Sequence, residues 1–422
     1  MISELQRQDT ETGLRTVIRG SIHGIESPWD TSDCALVFVR ANRSVTPVLV
    51  PADLLEKEKI TQESVIELTV VQHAADVPPT AIGVCVRSHA LPLPVDMRHP
   101  DLTDLTKRHL HVRSDLLRST AMFRHVIQKY AREYLESQGC ILVQTPVLTK
   151  ASAVSSGSVF QFPYYGDDSQ AVLTQTNWMA ADCLVNALER VYAFGPTFRR
   201  EEEHTPIHLV EIWQICADFA WVSNAELMDI EEGLFRHIAH CLRGHTDLYT
   251  LGGLSNTHLE DFDKPFAKIT YSESIERLRD LGYLISYGND YTREQSRALS
   301  GTFDRPFFIT HFPITLKNFW FPTISPDSDL TPTNDLYAHT GQGEIVGGGE
   351  RTFDVNEVIN NLEVRRYPVE KFDWIIDVRR YGCVPHAGFS LGFDRLVSMF
   401  MGTDDIRKAT LFPRMPYEVI QP

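Results

Sequence analysis

The sequence predicts an α+β protein in which a mixed domain with an antiparallel sheet follows a small all-β barrel. Five short β-type runs fall within the first 90 or so residues. The remainder mixes strands and helices without the regular β-α alternation of a doubly wound sheet. The 422 residues also exceed what one hydrophobic core usually organises. We therefore expect two domains.

The first domain is predicted over residues 1–90, and its runs alternate apolar and polar residues between turn signals. This pattern is typical of a closed or half-closed β-barrel. The runs are "LRTVIRGSIHGI", "ALVFVRA", "TPVLV", "SVIELTVVQHA" and "AIGVCVRSHA". The proline-bearing segment 91–108 is predicted to be a linker, and residues 109–422 to form the second domain.

The second domain begins with apolar residues at helical spacing over residues 113–138, and Gly139 ends the predicted helix. The strand "CILVQTPVL" follows, and Pro146 stops it. Further on, amphipathic helices alternate with strands. The helices are "NWMAADCLVNAL" and "NAELMDIEEGLFRHIAHCL", and the strands are "RVYAFGPTF", "HLVEIWQICADFAWV" and "FFITHFP".

Composition and charge exclude several function classes. Hydrophobic residues make up 43% and charged residues 23%, as in ordinary globular proteins. The net charge of −16 argues against unspecific binding of a phosphate backbone as the main activity. Seven scattered cysteines without a C-x-x-C pair predict neither a zinc site nor a disulfide framework. The N-terminal "MISELQRQDTETG" lacks the features of a signal peptide, so we expect a cytoplasmic location and no membrane partner.

A run of charged residues, "RREEEH", lies between two of the predicted strands and is expected to form the loop of an antiparallel hairpin. Such a loop is often only a solvated tip. Arg199, however, directly follows Phe198 at the strand end, where a side chain can point into a cleft. A planar guanidinium in that place is suited to a phosphate oxygen, which it can bind with two parallel hydrogen bonds.

These segments resemble a known family. "GPTFRRE" followed by "HLVEIW" resembles motif 2 of class II aminoacyl-tRNA synthetases, "GFSLGFDRL" resembles motif 3, and the helix leading into "VQTPVL" resembles motif 1 with its proline, Pro146. Within the class, "RVYAFGPTFR", "GEIVGGGER", "RYGCVPHAGF" and "LFPR" are most similar to asparaginyl-tRNA synthetases, then to aspartyl enzymes. The resemblance implies the class II antiparallel sheet flanked by helices, an N-terminal OB-fold barrel for the anticodon, and a homodimer formed through the motif 1 helix.

The resemblance also implies an ATP site. Arg199 would hold the α-phosphate, Glu201 would lie on the adenine side, and His208 would lie near the terminal phosphates. Arg395 would stack against the adenine and reach the γ-phosphate. Ile212 stands where the family has a phenylalanine on the other side of the adenine. Such a site activates a carboxylate by positioning and charge neutralisation, so no side-chain nucleophile is expected.

Two carboxylates match the family's magnesium ligands, Asp335 and Glu344. Hard oxygen ligands near a triphosphate suit Mg²⁺. Without the resemblance, an interpretation as ordinary loop carboxylates would be slightly favoured for both residues. With it, the expected cofactors are ATP and Mg²⁺.

The pocket for the acid departs from the family pattern. Arg351 matches the arginine that holds the substrate side chain, and a gapless alignment puts Asp182 at the position of its glutamate partner. Val154 and Trp178 stand where the family has a glutamate and a glutamine for the α-ammonium. Losing both polar partners costs several kcal/mol in a closed site. We therefore expect a substrate without a free α-ammonium, a reversed substrate, or a different alignment near Val154.

Contacts to tRNA also look weakened. Glu202 and Glu203 would repel a phosphate backbone. In the barrel, the family's base-stacking phenylalanine aligns with Leu36, four residues before Arg40, and its base-reading glutamine aligns with Pro47. An OB-fold reads bases by stacking and by hydrogen bonds, and both devices are missing at these positions. Transfer to tRNA is therefore an uncertain part of the prediction.

Three functions remain open from the sequence. The first is ATP-dependent adenylation of an asparagine- or aspartate-like acid with transfer to tRNA, as in protein biosynthesis. The second is a paralogue that passes the activated acid to a non-tRNA acceptor, as an amide ligase or an asparagine synthetase-like enzyme. The third is a non-catalytic regulator that binds an amino acid or adenylate. The phosphate and metal ligands favour a ligase over the regulator.

Overall fold

The computed structural model describes residues 14–26, 33–41, 43–150, 158–166, 170–202, 205–418 and 420. The chain divides into two compact units, Met1–Asp96 and Met97–Pro422. The predicted α+β class with a preceding β domain is confirmed. Met97 opens the second unit and is buried, although it falls in the segment predicted to be a linker. Within the described residues, no helix is long and apolar enough to cross a membrane.

The first unit is a closed five-stranded barrel with the strand order β1-β2-β3-β5-β4. Its elements are β1 (Leu14–Glu26), β2 (Cys34–Ala41), β3 (Ser44–Pro51), α1 (Ala52–Lys57), β4 (Val65–Gln72) and β5 (Thr80–Ser88). All five predicted runs form these strands. Alternate apolar side chains point inward because successive strand residues face opposite sides, and they fill the barrel.

Two of the barrel positions singled out in the sequence offer no aromatic surface to a base. Leu36 is buried, with 6% of its surface exposed, and Pro47 is exposed. The guanidinium of Arg40 donates a hydrogen bond of 2.7 Å to Glu63, whose side chain is almost fully buried. This arginine therefore forms part of the barrel's own polar network.

The second unit is built on an eight-stranded sheet with the order β12-β13-β14-β15-β16-β11-β10-β6. The pairings from β13 to β10 are antiparallel, and those at the two ends are parallel. The strands of the unit are β6 (Ile141–Val143), β7 (Leu148–Thr149), β8 (Gln161–Pro163), β9 (Gln170–Leu173), β10 (Arg190–Phe198), β11 (Glu211–Ala220), β12 (Ala267–Thr270), β13 (Phe307–Thr310), β14 (Thr333–Ala338), β15 (Gly343–Arg351) and β16 (His386–Gly392). Strands β7, β9 and β8 form a separate small sheet.

Helices and short 3₁₀ segments connect and cover these strands. The helices are α2 (Arg108–His111), α3 (Asp115–Ser137), α4 (Trp178–Leu188), α5 (Asn224–Leu242), α6 (Thr246–Gly252), α7 (Tyr271–Asp280), α8 (Arg293–Ser300), α9 (Val355–Val364), α10 (Asp373–Arg380), α11 (Phe393–Phe400) and α12 (Ile406–Ala409). The 3₁₀ segments are Leu105–Lys107, Thr257–Asp263, Ile314–Leu316 and Val369–Lys371.

Helix α3 confirms the helix predicted over residues 113–138. The Ser114 side chain accepts a hydrogen bond from the backbone of Leu117 and so caps the helix. Gly139 follows the helix with φ of 81°, a conformation that glycine adopts without strain. The single strand predicted after it is instead two short strands, β6 and β7. They are separated at Pro146, which cannot donate a ladder hydrogen bond.

Strand β11 separates the core of the second unit from the side that carries the cleft. Ile215, Ala217 and Phe219 pack into the largest core, together with side chains of α3 and α5. The intervening Cys216 packs with Trp178 of α4 in a different apolar cluster. Because strand side chains alternate between faces, the residues in register with Cys216 face the α4 side of the sheet.

Candidate active site

The predicted charged hairpin is confirmed. Strands β10 and β11 pair antiparallel from Arg190 opposite Phe219 to Phe198 opposite Glu211. The backbone N–H of Arg199 donates to the carbonyl of Val210 at 2.9 Å and closes the hairpin. Positions 203 and 204, and with them Glu203 of the charged run, lie outside the described residues.

A cleft of about 690 Å³ opens beside this hairpin, and most of the residues predicted for the site line it. They are Arg199, Glu201, His208, Ile212, Arg395, Arg351, Trp178, Asp335 and Glu344. Val154 lies outside the described residues. The structure therefore brings together side chains that the sequence spreads over more than 200 positions. The role of each residue remains a prediction.

One part of the cleft contains Arg199, Glu201, His208 and Arg395, and its two arginines come from different elements. An Arg199 terminal nitrogen lies 3.9 Å from a carboxylate oxygen of Glu201. Arg395 extends from α11 and donates to the backbone carbonyl of Glu344 at 2.8 Å. The His208 ring is held by a 2.6 Å hydrogen bond between its Nδ1 and the hydroxyl of Thr205. Two guanidinium groups in one cleft favour an anionic ligand.

Another part of the cleft surrounds Arg351, Trp178, Trp320 and Phe321. The Arg351 guanidinium lies 5.0 Å from the Trp178 ring centroid and 4.9 Å from that of Phe321. Trp178 in turn stacks on Trp320 at 4.5 Å. Such contacts fix the plane of a guanidinium. Within the described residues its terminal nitrogens have no hydrogen-bond acceptor, so they are available to a carboxylate or a carbonyl oxygen.

The assignment of Asp182 to the substrate pocket needs correction. This residue is fully buried and does not line the cleft. Its two oxygens accept hydrogen bonds from Arg379, one of them 2.9 Å long, and from His386 at 2.8 Å. Burial opposes the charge of Asp182, but Arg379 and His386 together outweigh it and lower the pKa of the carboxyl. Both oxygens are therefore already used within the protein.

The buried carboxylate next to Arg351 is Asp218 instead, and the sequence reasoning missed it. Asp218 Oδ1 lies 3.6 Å from Nε of Arg351. Burial raises the Asp218 pKa to about 6, although the Arg351 charge opposes the shift. A Cβ at Gly388 would lie 2.0 Å from Asp218 Oδ1, so this motif 3 position needs glycine. A signal existed, because Asp218 is the acidic residue of the otherwise apolar segment "ICADFA" that ends β11.

The two predicted metal ligands differ in their surroundings. The Glu344 carboxylate is exposed in the cleft, and no described residue donates a hydrogen bond to it. Asp335 is buried, and both its oxygens accept hydrogen bonds from the ammonium of Lys317. Burial raises the pKa of Asp335, as does the nearby Glu344, while Lys317 lowers it. Two carboxylates in one cleft fit Mg²⁺, which keeps several water or phosphate ligands of its own. Lys317, however, is already paired with one of the two carboxylates, Asp335.

Under the cleft floor lies a second acidic side chain that the sequence reasoning missed. Glu231 of α5 is fully buried, and Asn334 Nδ2 donates to its Oε2 at 2.6 Å. Within the described residues, Glu231 Oε1 and Asn334 Oδ1 have no partner, and both lie near the position of a Cβ on Gly348. A protonated carboxyl would donate to Asn334 and complete a reciprocal pair. Burial raises the Glu231 pKa well above its usual value of 4.5, in agreement with the neutral form.

Replacing Glu231 by glutamine is expected to preserve this pair, because the amide can donate to Asn334 Oδ1 and accept from Nδ2. A carboxyl with a raised pKa stabilises the fold fully below its unfolded-state pKa of about 4.3, and this stabilisation is lost as pH rises through the folded-state value. Glu231→Gln has no carboxyl to ionise at this position, so it does not lose stability in this way as pH rises. It should therefore become more stable than wild type as pH increases, in urea unfolding at pH 5 to 9.

The control for this experiment is Glu276→Gln, which changes an exposed glutamate of α7. It should follow the wild-type pH dependence. If wild type instead gained stability over Glu231→Gln with rising pH, Glu231 would be ionised in the folded protein and the reciprocal pair would be wrong.

Comparisons with known proteins agree with this α+β architecture. The family described as tRNA synthetases class II (D, K and N) matches residues 101–416. The asparagine–tRNA ligase of Desulforamulus reducens is 32% identical over 317 residues, covering 75% of this chain and 73% of that protein. That of Pyrococcus abyssi is 31% identical over 335 residues, covering 79% and 76%.

A solved structure shares the fold over almost the whole chain. The asparaginyl-tRNA synthetase of Pyrococcus horikoshii, complexed with asparaginyl-adenylate, superposes with a TM-score of 0.90 at 26% identity and covers 97% of this chain and 96% of that one. The fold and the cleft thus define an adenylate-forming ligase of the class II architecture. The chain belongs to the tRNA synthetases class II (D, K and N) and is similar to asparagine–tRNA ligases. The comparisons do not support a non-tRNA acceptor or a non-catalytic regulator.

Proposed function

We propose that this protein uses ATP to adenylate an asparagine- or aspartate-like acid and transfers the acyl group to tRNA. The observation that carries the proposal is the meeting of Arg199, Arg395 and Arg351 in one cleft of a class II synthetase fold. Two guanidinium groups are available for phosphates and one for an oxygen of the acid. The relatives named as asparagine–tRNA ligases support the same reaction.

In this proposal the chain acts by positioning its substrates. Arg199 neutralises charge at the α-phosphate, where the acid's carboxylate attacks and pyrophosphate leaves. Arg395, held by the carbonyl of Glu344, and His208 orient the rest of the triphosphate. Ile212 contributes an apolar contact for the adenine, and Glu201 a hydrogen-bond acceptor. Asp335 and Glu344 would hold Mg²⁺, which supplies further neutralisation of phosphate charge.

The acid is proposed to place its side-chain carboxylate or amide oxygen on Arg351. The guanidinium offers donors only, so it accepts either group. Trp178 gives this region an apolar ring where a polar partner of an α-ammonium was expected. Asparagine and aspartate, with and without a free amine, therefore need to be compared directly.

The experiment that tests the proposal is ATP–pyrophosphate exchange with asparagine, aspartate and their des-amino and N-acylated analogues, followed by charging of total tRNA with any active acid. Exchange together with stable charging would support the full proposal. Exchange without charging would reject tRNA as the acceptor. No exchange with any of these acids would reject the proposed adenylation.

We also propose that the protein acts as a homodimer through α3 and the sheet edge at β6. This edge strand carries apolar side chains in solvent, with Ile141 49% and Leu142 40% exposed. Leu148 of β7 is 48% exposed. A second copy of the chain would bury such residues. Light scattering should give twice the chain mass for wild type and a monomer for Ile141→Asp, whereas a wild-type monomer would contradict the proposal.

A further inference from the structure

Lys317 forms hydrogen bonds with Asp335, which is the buried one of the two carboxylates in the cleft. Its Nζ lies 2.7 Å from Oδ1 and 2.6 Å from Oδ2 of Asp335. The two side chains are only 13% and 6% exposed. The ammonium also lies 3.8 Å from the ring centroid of Phe312, which favours its present position. Lys317 is thus a positive charge built into the cleft wall at a position predicted to take a metal ion.

The second carboxylate has no such partner but points to the same place. A Cβ placed on Gly347 would lie 3.0 Å from Oε1 of Glu344 and 3.4 Å from Oδ1 of Asp335. The two acids therefore converge above this glycine, while only Asp335 is paired with an ammonium. A divalent ion between the two acids would lie close to Lys317, and the two cations would repel each other strongly away from bulk water.

We propose that Lys317 and a divalent metal ion compete for Asp335, so that ion binding releases the Lys317 ammonium into the cleft. A buried carboxylate without a cation is costly, and the exchange keeps Asp335 paired in both states. Lys317 lies beside Asn318 on the cleft wall. Once released, its ammonium is available to an anionic group of the bound substrates. The inference rests on the proposed metal-binding function of Asp335 and Glu344.

The first test measures Mn²⁺ binding at pH 8 by electron paramagnetic resonance. It compares wild type, Lys317→Met and Arg293→Met. Removing the competing ammonium should tighten Mn²⁺ binding about tenfold or more, the equivalent of one lost charge-assisted hydrogen bond. Arg293 also lines the cleft. Within the described residues, Arg293 forms no hydrogen bond or ion pair with Asp335, which is bonded to Lys317. Arg293→Met should change Mn²⁺ binding much less. It therefore controls for the loss of one positive charge from the cleft.

Several outcomes would overturn the proposal. If Lys317→Met bound Mn²⁺ no more tightly than wild type, or if neither of these two proteins bound Mn²⁺, the ammonium would not compete with an ion. If Arg293→Met gained as much Mn²⁺ affinity as Lys317→Met, the gain would come from the loss of any positive charge in the cleft. Pyrophosphate exchange by the wild type is measured separately. It tests the proposed adenylation, whereas the Mn²⁺ measurements test the competition between Lys317 and the ion.

The second test uses the wild-type protein and so does not depend on a variant that folds. Lysines are acetylated briefly with and without Mn²⁺, and the modified positions are quantified by mass spectrometry. Lys317 should become several-fold more reactive with Mn²⁺, because its ammonium leaves Asp335. Lys268, whose side chain is 45% exposed, serves as the control and should not change. Unchanged labelling of Lys317 in the presence of bound Mn²⁺ would overturn the proposal.

Discussion

Replacing Arg199 by alanine is expected to lower kcat/KM for ATP–pyrophosphate exchange by about 10²- to 10³-fold, the cost of removing one preorganised charge donor from a transition state. Arg199 lies at the end of β10, lines the cleft and is anchored through its backbone to Val210. The loss should appear mainly in kcat, because charge at the α-phosphate develops as the reaction proceeds. Arg199→Lys should restore only part of it, since an ammonium lacks the planar fork.

The chain provides a matched control in the next residue. Arg200 is exposed and does not line the cleft, so Arg200→Ala should change exchange by no more than about twofold. Similar losses in both variants would indicate a general effect of the basic pair on nucleotide attraction. In that case the specific role of Arg199 at the α-phosphate would be wrong.

Replacing Asp182 by alanine is expected to destabilise the protein by about 3–5 kcal/mol, because it leaves buried cations without their partner. Arg379 and His386 both donate to Asp182, and all three side chains are fully buried. Burial opposes protonation of His386, but its hydrogen bond to Asp182 and the nearby Cys383 side chain raise the pKa to about 10. The imidazole is therefore charged at neutral pH. Urea unfolding followed by tryptophan fluorescence measures the loss.

Asp377→Ala is the control, because it removes an aspartate from an exposed pair with Arg380. Exposed pairs contribute about 0–1 kcal/mol, so this variant should unfold almost like wild type. Asp182→Asn distinguishes a structural role from a substrate contact. If its stability were unchanged while KM for the acid rose, Asp182 would act on the substrate and the correction made above would be wrong.

Asp182 and Asp218 also show how the charges around Arg351 are arranged. Arg379 and His386 both donate hydrogen bonds to Asp182, whereas Asp218 is the carboxylate beside Arg351. Of these five residues, only Arg351 lines the cleft. Arg351 is thus the one guanidinium of this group that faces the cleft.

Much of this protein follows from the sequence because the relevant patterns are local. Alternating apolar residues specify the five barrel strands, and helical spacing with a glycine stop specifies α3. The hairpin that carries Arg199 follows from two apolar runs around a charged loop. The strand and helix periods determine which face a residue occupies. The fold class was therefore predictable from local patterns, and the family resemblance predicted nine of the residues that line the cleft.

Only the tertiary structure decided which charged residues are partners. Asp182 and Asp218 are both acids in apolar segments, and nothing local tells which of them lies beside Arg351. The Arg379 partner of Asp182 is 197 positions away along the chain. Lys317 follows the 3₁₀ segment Ile314–Leu316 and likewise meets Asp335 of β14 without a sequence period that links them. Periodicity determines the face of an element, whereas the pairing of charges between elements depends on how those elements pack and on the cost of burying an unpaired charge.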